Sequence, residues 1–373
     1  MATYLKLFET HTQYETFIGG GGVTPFVKPN VSYCTEENEV YYNPRTWADE
    51  YLTFVALEDG TISFDILNSI GTDKITSISY STDNGANWTT TENRNDKQEN
   101  LSITVNVNKG DKILWKGDAK TLGFYVDDNV GFVGSFFSST AKFDAAGNVM
   151  SLIYGDEYKN KITIEKEYTF CFLFCDYNFK KTCGIVNAKN LSLPATTLAS
   201  GCYSGMFFGC TNLVNAPTLP ATTLAGYCYS YMFYGCTNLV NAPSVLPATT
   251  LAGGCYTCMF RNCTSLVNAP TLPATTLAVY CYQNMFNGCT SLVKAPTLPA
   301  TTLEYSCYQF MFDGCTKLSY IKCLATKISA SSLSNWVNGV ASSGTFVKDA
   351  NMTSWTTGIS GIPTGWTVHD VTV

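Results

Sequence analysis

The chain has 373 residues, enough for two or three structural units at about 150 residues each and ample for a buried core. Its 23 Lys+Arg against 29 Asp+Glu give a net charge of −6, which excludes the basic surface that non-specific nucleic-acid binding needs. Only two histidines, His11 and His369, and 14% charged residues leave histidine metal triads and histidine-activated nucleophiles poorly supplied, so neither an enzyme nor a cofactor is expected.

Residues 1–46 read as an N-terminal arm. The stretch Tyr4 to Phe17 suits a short amphipathic helix or a strand pair, with Leu5, Leu7, Tyr14 and Phe17 apolar. Lys6, Glu9, His11 and Glu15 interrupt the apolar run that a secretory signal requires. Gly19-Gly20-Gly21-Gly22 suits a hinge and lacks the context of a phosphate-binding loop. Tyr33 follows in the segment Pro29-Asn30-Val31-Ser32-Tyr33-Cys34. No stretch reaches about 18 uncharged apolar residues, so membrane insertion is not expected.

Residues 47–118 read as a small Ig-like β-sandwich. Tyr51 to Leu57, Thr61 to Ile66, Ile75 to Ser81, Leu101 to Val107 and Lys112 to Trp115 are strand candidates separated by Asn/Asp/Gly clusters. Ser81-Thr82-Asp83-Asn84-Gly85-Ala86-Asn87-Trp88 resembles the Asp-box of sialidase propellers. Those propellers carry several boxes, remote from the chemistry, whereas this chain has one, and Asn84-Gly85 is a strong hairpin turn in its own right. Asp127-Asp128 and Asp156-Glu157 read as solvated loop acids, not the spaced carboxylate pair of a glycosidase. Residues 119–165 read as a β-rich transition and N-terminal cap.

Residues 166–330 carry a repeat. LPATTLA begins at Leu193, Leu219, Leu246 and Leu272, and the variant LPATTLE at Leu298. Between copies runs C-Y-x-x-M-F-x-G-C-T-x-L-V-x-A-P, a period inside the leucine-rich-repeat range. Leu213 to Ala216 suits a strand ended by Pro217. Leu224, Cys228, Met232 and Cys236 fall at i, i+4, i+8 and i+12, which predicts a short helix with Thr222 or Thr223 as N-cap and Gly235 near the C-cap. One unit cannot bury its apolar face alone, so stacked copies are expected to form a solenoid. The fold class expected is therefore mixed and β-rich: arm, small β-sandwich, leucine-rich-repeat solenoid with short helices and strands, and a C-terminal cap over 331–373. The cysteines read as buried small hydrophobes. A helix would hold Cys202 and Cys210 too far apart to bond, while cross-repeat disulfides stay open. Cys255-x-x-Cys258 lacks the remaining ligands of a zinc site, so no metal is expected.

The LPATTLA and CYxxMFxGCTxLVxAP units resemble the BspA-type leucine-rich-repeat family of bacterial surface proteins, common in gut Bacteroides and their phages. The resemblance extends to Asn335-Trp336, Gly344-Thr345-Phe346 and Gly361 to Val368, which look like that family's closing module, with Trp336, Phe346, Trp355 and Trp366 over the open end. It implies adhesion or surface display, and no defined reaction. The segments YLKLFETHTQYETF, PNVSYC and NEVYYNP are similar to the N-terminal attachment segment of Bacteroides phage virion proteins. That likeness implies attachment to virion structural proteins through Tyr4, Leu7, Tyr14, Phe17 and Tyr33. The expectation is a virion-surface decoration or fibre protein; the alternative is a bacterial cell-surface or secreted adhesin. Homo-oligomer formation is left open.

Positions that vary between copies are those the scaffold leaves free. Between Leu191 and Leu303 only Arg261 and Lys294 are charged, so binding there must use shape, hydroxyls and aromatic faces. The free positions are rich in tyrosine, which joins a large contact area to a polar tip. Tyr227, Tyr231, Tyr234, Tyr280 and Tyr305 are accordingly the expected ligand face, for a host-surface glycan or protein.

Overall fold

The computed structural model describes residues 32–34, 40–42, 47–67, 77–92, 101–119, 121–127, 131–176, 180–329 and 331–371. The chain divides into two units, Met1–Trp47 and Ala48–Val373. In the first, strands β1 (Ser32–Cys34) and β2 (Val40–Tyr42) pair antiparallel.

The second unit begins with β3 (Leu52–Ala56), β4 (Gly60–Ile66), β5 (Ser77–Ser81), β6 (Thr89–Glu92), β7 (Leu101–Val107) and β8 (Lys112–Gly117). Next come β9 (Gly123–Asp127), β10 (Gly131–Gly134), β11 (Phe136–Ser139), β12 (Phe143–Asn148) and the helix α1 (Ser151–Tyr154). The strand β13 (Ile185–Ser192) completes a six-stranded sheet ordered β13-β12-β3-β8-β5-β6, and a second sheet is ordered β11-β4-β7. Strict alternation forms β7: Ile103, Val105 and Val107 are buried while Ser102, Thr104 and Asn106 are exposed. The two sheets meet through aromatic rings. Phe137 on β11 lies 4.7 Å from Phe54 on β3 and 5.2 Å from Trp115 on β8, ring centroid to ring centroid.

The β12–β13 pair is parallel, and it starts a stack. Parallel bridges join Asn187 to Asn215 and Asn215 to Asn241, then Asn268 to Lys294 and Lys294 to Tyr320. A second track joins Thr197 to Thr223, Thr250 to Thr276 and Thr302 to Lys327. The prolines of each repeat cannot donate to a ladder, which keeps these contacts to single bridges. The stack ends in the parallel strands β14 (Tyr320–Cys323), β15 (Thr345–Asp349) and β16 (Thr367–Val371).

The C-Y-x-x-M-F segments are spirals of turns, and the expected helix is absent from them. In Ala199–Cys210, alternate amides bond to the next rung: Tyr203 N–H donates to Cys228 O at 2.9 Å and Phe207 N–H to Met232 O at 2.9 Å. The intervening amides donate three residues back, as Met206 N–H does to Tyr203 O at 3.2 Å. Every fourth residue has positive φ: Gly201 (59°), Gly205 (60°) and Gly209 (67°). That geometry is incompatible with an α-helix, yet it also points every fourth side chain inward. The mixed arm–sandwich–leucine-rich-repeat solenoid–cap architecture expected from sequence is thereby corrected. The chain is β-rich, built of several small sheets with no closed barrel among the described residues, and α1 is a four-residue helix outside the repeats.

Two aromatic files run through the stack. Phe170, Tyr203, Tyr229, Tyr256, Tyr282 and Tyr308 stack at successive centroid distances of 5.7, 5.6, 5.9, 5.7 and 6.0 Å. Phe174, Phe207, Phe233, Phe260, Phe286 and Phe312 form the second, spaced 5.0 to 5.7 Å. Both files end against the buried Trp336, whose indole N–H donates to Gly361 O at 2.8 Å. The second cysteine of each repeat does more than fill space. The Cys236 thiol donates to Phe207 O at 3.1 Å, Cys263 to Phe233 O at 3.0 Å and Cys289 to Phe260 O at 3.0 Å, tying each rung to the one before.

Candidate functional site: a tyrosine-lined edge

Turns of this kind require positive φ at fixed positions, where glycine is the residue of least cost. On successive rungs the first such position holds Tyr168 (56°), Gly201 (59°), Tyr227 (55°), Gly254 (61°), Tyr280 (58°) and Ser306 (51°). The second holds Phe172 (54°), Gly205 (60°), Tyr231 (57°), Cys258 (55°), Asn284 (55°) and Phe310 (55°). A left-handed conformation costs a residue with a Cβ roughly 1–2 kcal/mol. Tyr227, Tyr231 and Tyr280 therefore stand where the backbone prefers glycine, and strain of that sort gathers at functional sites.

Glycine follows Tyr168 and Tyr227 for a steric reason. A Cβ placed on Gly254 would lie 2.3 Å from Cε1 of Tyr227, and one on Gly201 would lie 2.4 Å from Cδ1 of Tyr168. The rings of Tyr168 and Tyr227 thus rest against the glycine of the next rung, and Ser306 follows Tyr280. Contact with Gly254 still leaves Tyr227 49% exposed. Tyr280 meets Tyr305 edge-on at 5.5 Å, and Tyr305 is 48% exposed. Desolvation, then the neighbouring Tyr305 and Tyr227, raises the Tyr280 hydroxyl above its ordinary pKa.

Tyr231 and Tyr234 lie on the same turn, 6.1 Å apart. Burial, followed by the Cys258 thiol, pushes Tyr231 up to about 12, and the two side chains share a hydrogen bond. Cys258 is thereby engaged with Tyr231 and Arg261, while Cys255 is buried in the stack. Tyr234 stacks on Phe208 at 4.6 Å, with the Arg261 guanidinium 5.8 Å from its ring on the next rung. The row continues as Asn287, which donates to Asp313 at 3.1 Å, and Asn338 donates to the other Asp313 oxygen at 2.8 Å. Neighbours in this row choose one another as ring, cation, amide and carboxylate.

The expected ligand-face tyrosines thus all fall on this turn edge, in two groups: Tyr227, Tyr280 and Tyr305 along the stack, and Tyr231 with Tyr234 beside them. Tyr168 and Phe172 belong to the same edge and were not singled out from sequence; Phe208 belongs to it too, at a position that varies between copies. The spacing from Tyr168 to Gly201 exceeds the repeat because β13 and the segment before it intervene. Tyr4, Leu7, Tyr14 and Phe17 lie outside the described residues. Tyr33 lies in β1 opposite Tyr41.

Other candidate centres are occupied by structural contacts. Asp83 accepts from the Asn87 amide at 2.9 Å and from Ser81 Oγ at 2.7 Å, and these bonds lower its pKa to about 2. Asp156 accepts from Lys116 Nζ at 2.8 Å and Tyr51 Oη at 2.7 Å, which hold its carboxyl low. A pocket lined by Ile153, Tyr154, Ile164, Glu165, Lys166 and Thr169 encloses about 200 Å³, below the ~300 Å³ at which ligand pockets begin. Among the described residues no helix is long and apolar enough to cross a membrane. The tyrosine edge, with Arg261 and Asp313 in its second row, can stack on a ligand and hydrogen-bond to it. In comparisons with known proteins, the chain matches no family, no curated protein and no solved structure.

Proposed function

We propose that this is a non-enzymatic adhesive protein of a phage particle, held to virion structural proteins by its N-terminal segment and displaying the repeat stack to a host-surface glycan or protein. The observation that carries the reading is the row of tyrosines kept in left-handed backbone, where Gly201 and Gly254 show that glycine suffices for the scaffold. Strain retained at the exposed Tyr227 and the half-buried Tyr231 and Tyr280 is accounted for by what those rings touch in the bound state. The attachment part rests on the likeness of residues 1–46 to phage attachment segments and is consistent with Met1–Trp47 being a unit of its own.

Mass spectrometry of purified phage particles tests the location. Stoichiometric peptides from both units support a virion component. Their absence, with the same peptides on bacterial surfaces, overturns it in favour of a cell-surface adhesin. Adhesion of the purified chain to host cells tests the edge, and unchanged adhesion by a variant with Tyr227, Tyr231, Tyr234 and Tyr280 all replaced by Ala refutes it.

A further inference from the structure

Tyr168, Tyr227 and Tyr280 occupy every second rung, with Gly201 and Gly254 between them. Rungs joined by backbone hydrogen bonds lie about 4.8 Å apart, so these rings recur at roughly 10 Å along the stack. At Gly201 and Gly254 a Cβ would enter the ring before it, whereas Ser306 follows Tyr280 with its Cβ in place. Gly201 and Gly254 are buried under the rings, and the positions just before the ring positions hold Gly226 and Gly253 between Ser200 and Val279, a short strip with few side chains. Arg261 and Lys294 are the charged residues between Leu191 and Leu303, so around Tyr227 and Tyr280 the edge presents hydroxyls, carbonyls and ring surface to its ligand, while Glu167 stands beside Tyr168.

We infer that this edge binds an extended, uncharged, β-1,4-linked glycan chain lying along the stack. This rests on the adhesive reading above and names its ligand. A two-rung interval is close to the length of one disaccharide in such a chain, in which every second sugar presents the same face. Successive rings would then meet equivalent sugars, and Gly226 and Gly253 admit the chain close to the backbone. Helical or branched glycans lose that match after the first contact. A protein ligand would not require a two-rung period at all.

The test is calorimetric titration of the full chain with β-1,4-linked glucose and N-acetylglucosamine oligomers, from disaccharide to hexasaccharide, with α-1,6-linked glucose oligomers of the same lengths alongside. Tyr168→Gly, Tyr227→Gly and Tyr280→Gly are made singly and together; glycine already fills the equivalent position on the neighbouring rungs, so the fold tolerates it. Affinity is expected to rise as the oligomer reaches a second and a third ring. Each single variant should lose about tenfold for the hexasaccharide, the order expected of one aromatic stacking contact. The α-1,6 series should show no gain with length. Absence of β-1,4 binding, or equal binding by the triple variant, overturns the inference. Tyrosine-dependent adhesion to host cells without oligosaccharide binding also overturns it, in favour of a protein ligand, while leaving the adhesive reading intact.

Discussion

Gly254→Ala isolates the contact that sets the tyrosine spacing. Alanine at φ +61° pays the left-handed cost of about 1–2 kcal/mol. Its Cβ would also sit 2.3 Å from the Tyr227 ring, which must swing away from the rung. About half of that side chain is buried, so displacing it forfeits on the order of 1 kcal/mol of apolar contact. The substitution should therefore destabilise by about 2–3 kcal/mol in the natural sequence and by about 1–2 kcal/mol in a Tyr227→Gly background. The coupling of about 1 kcal/mol is read from urea denaturation of the four proteins in the cycle. Hydrogen exchange at the Tyr227 and Gly254 amides reports whether the loss is local to the two rungs. Equal costs in both backgrounds would refute the ring–glycine contact. No cost in either would refute the left-handed backbone at 254.

Phe260→Ala, in the middle of the phenylalanine file, should destabilise by about 3–5 kcal/mol, seen as a lowered urea midpoint; a cost under ~1 kcal/mol would mean the file is not packed. Burial raises the Cys228 and Cys281 thiols from their usual 9 to about 12, so the folded chain keeps protons that the unfolded chain releases. Stability is then full below pH 9 and declines as pH rises from 9 towards 12, and a flat urea midpoint across that window contradicts the burial. Asp83 has the opposite sign, its folded pKa of about 2 lying below the usual 3.8, so its contribution to the hairpin is present above pH 3.8 and lost as pH falls through 2. An NMR titration of the Asp83 carboxyl should find that low midpoint, and an ordinary one would mean the loop bonds do not form in solution.

The repeat period was legible because each copy of LPATTLA marks one turn of the stack. The strands of the first sheets were legible from alternation, as at Ile103, Val105 and Val107. The turn spirals were not, because Cys228, Met232 and Cys236 point inward every four residues in either geometry, and helical periodicity is too close to four to separate them over so short a stretch. Gly201, Gly205 and Gly209 carried the signal, a glycine at every fourth position. In the next copy Tyr227 and Tyr231 hide it, since bulky side chains seldom adopt positive φ. Variation between copies located the five tyrosines, but their alternation with glycine needs the rung register. Tyr168 escaped because 33 residues, not 26, separate it from its counterpart Gly201.

The interlock of ring and glycine has a consequence for how such a chain can grow or shrink. Near-identical units invite unequal recombination, and each rung bonds only to its neighbours, so whole units could be gained or lost with little damage to the core. The single steps are not equivalent. Removing residues 254–279 would set Tyr227 directly against Tyr280 and take away the glycine its ring rests on, whereas removing residues 227–253 would leave Gly254 after Gly201 with Tyr168 still seated. Which unit is lost decides the outcome along this edge: one headed by tyrosine can go alone, whereas one headed by glycine leaves the ring before it without its seat.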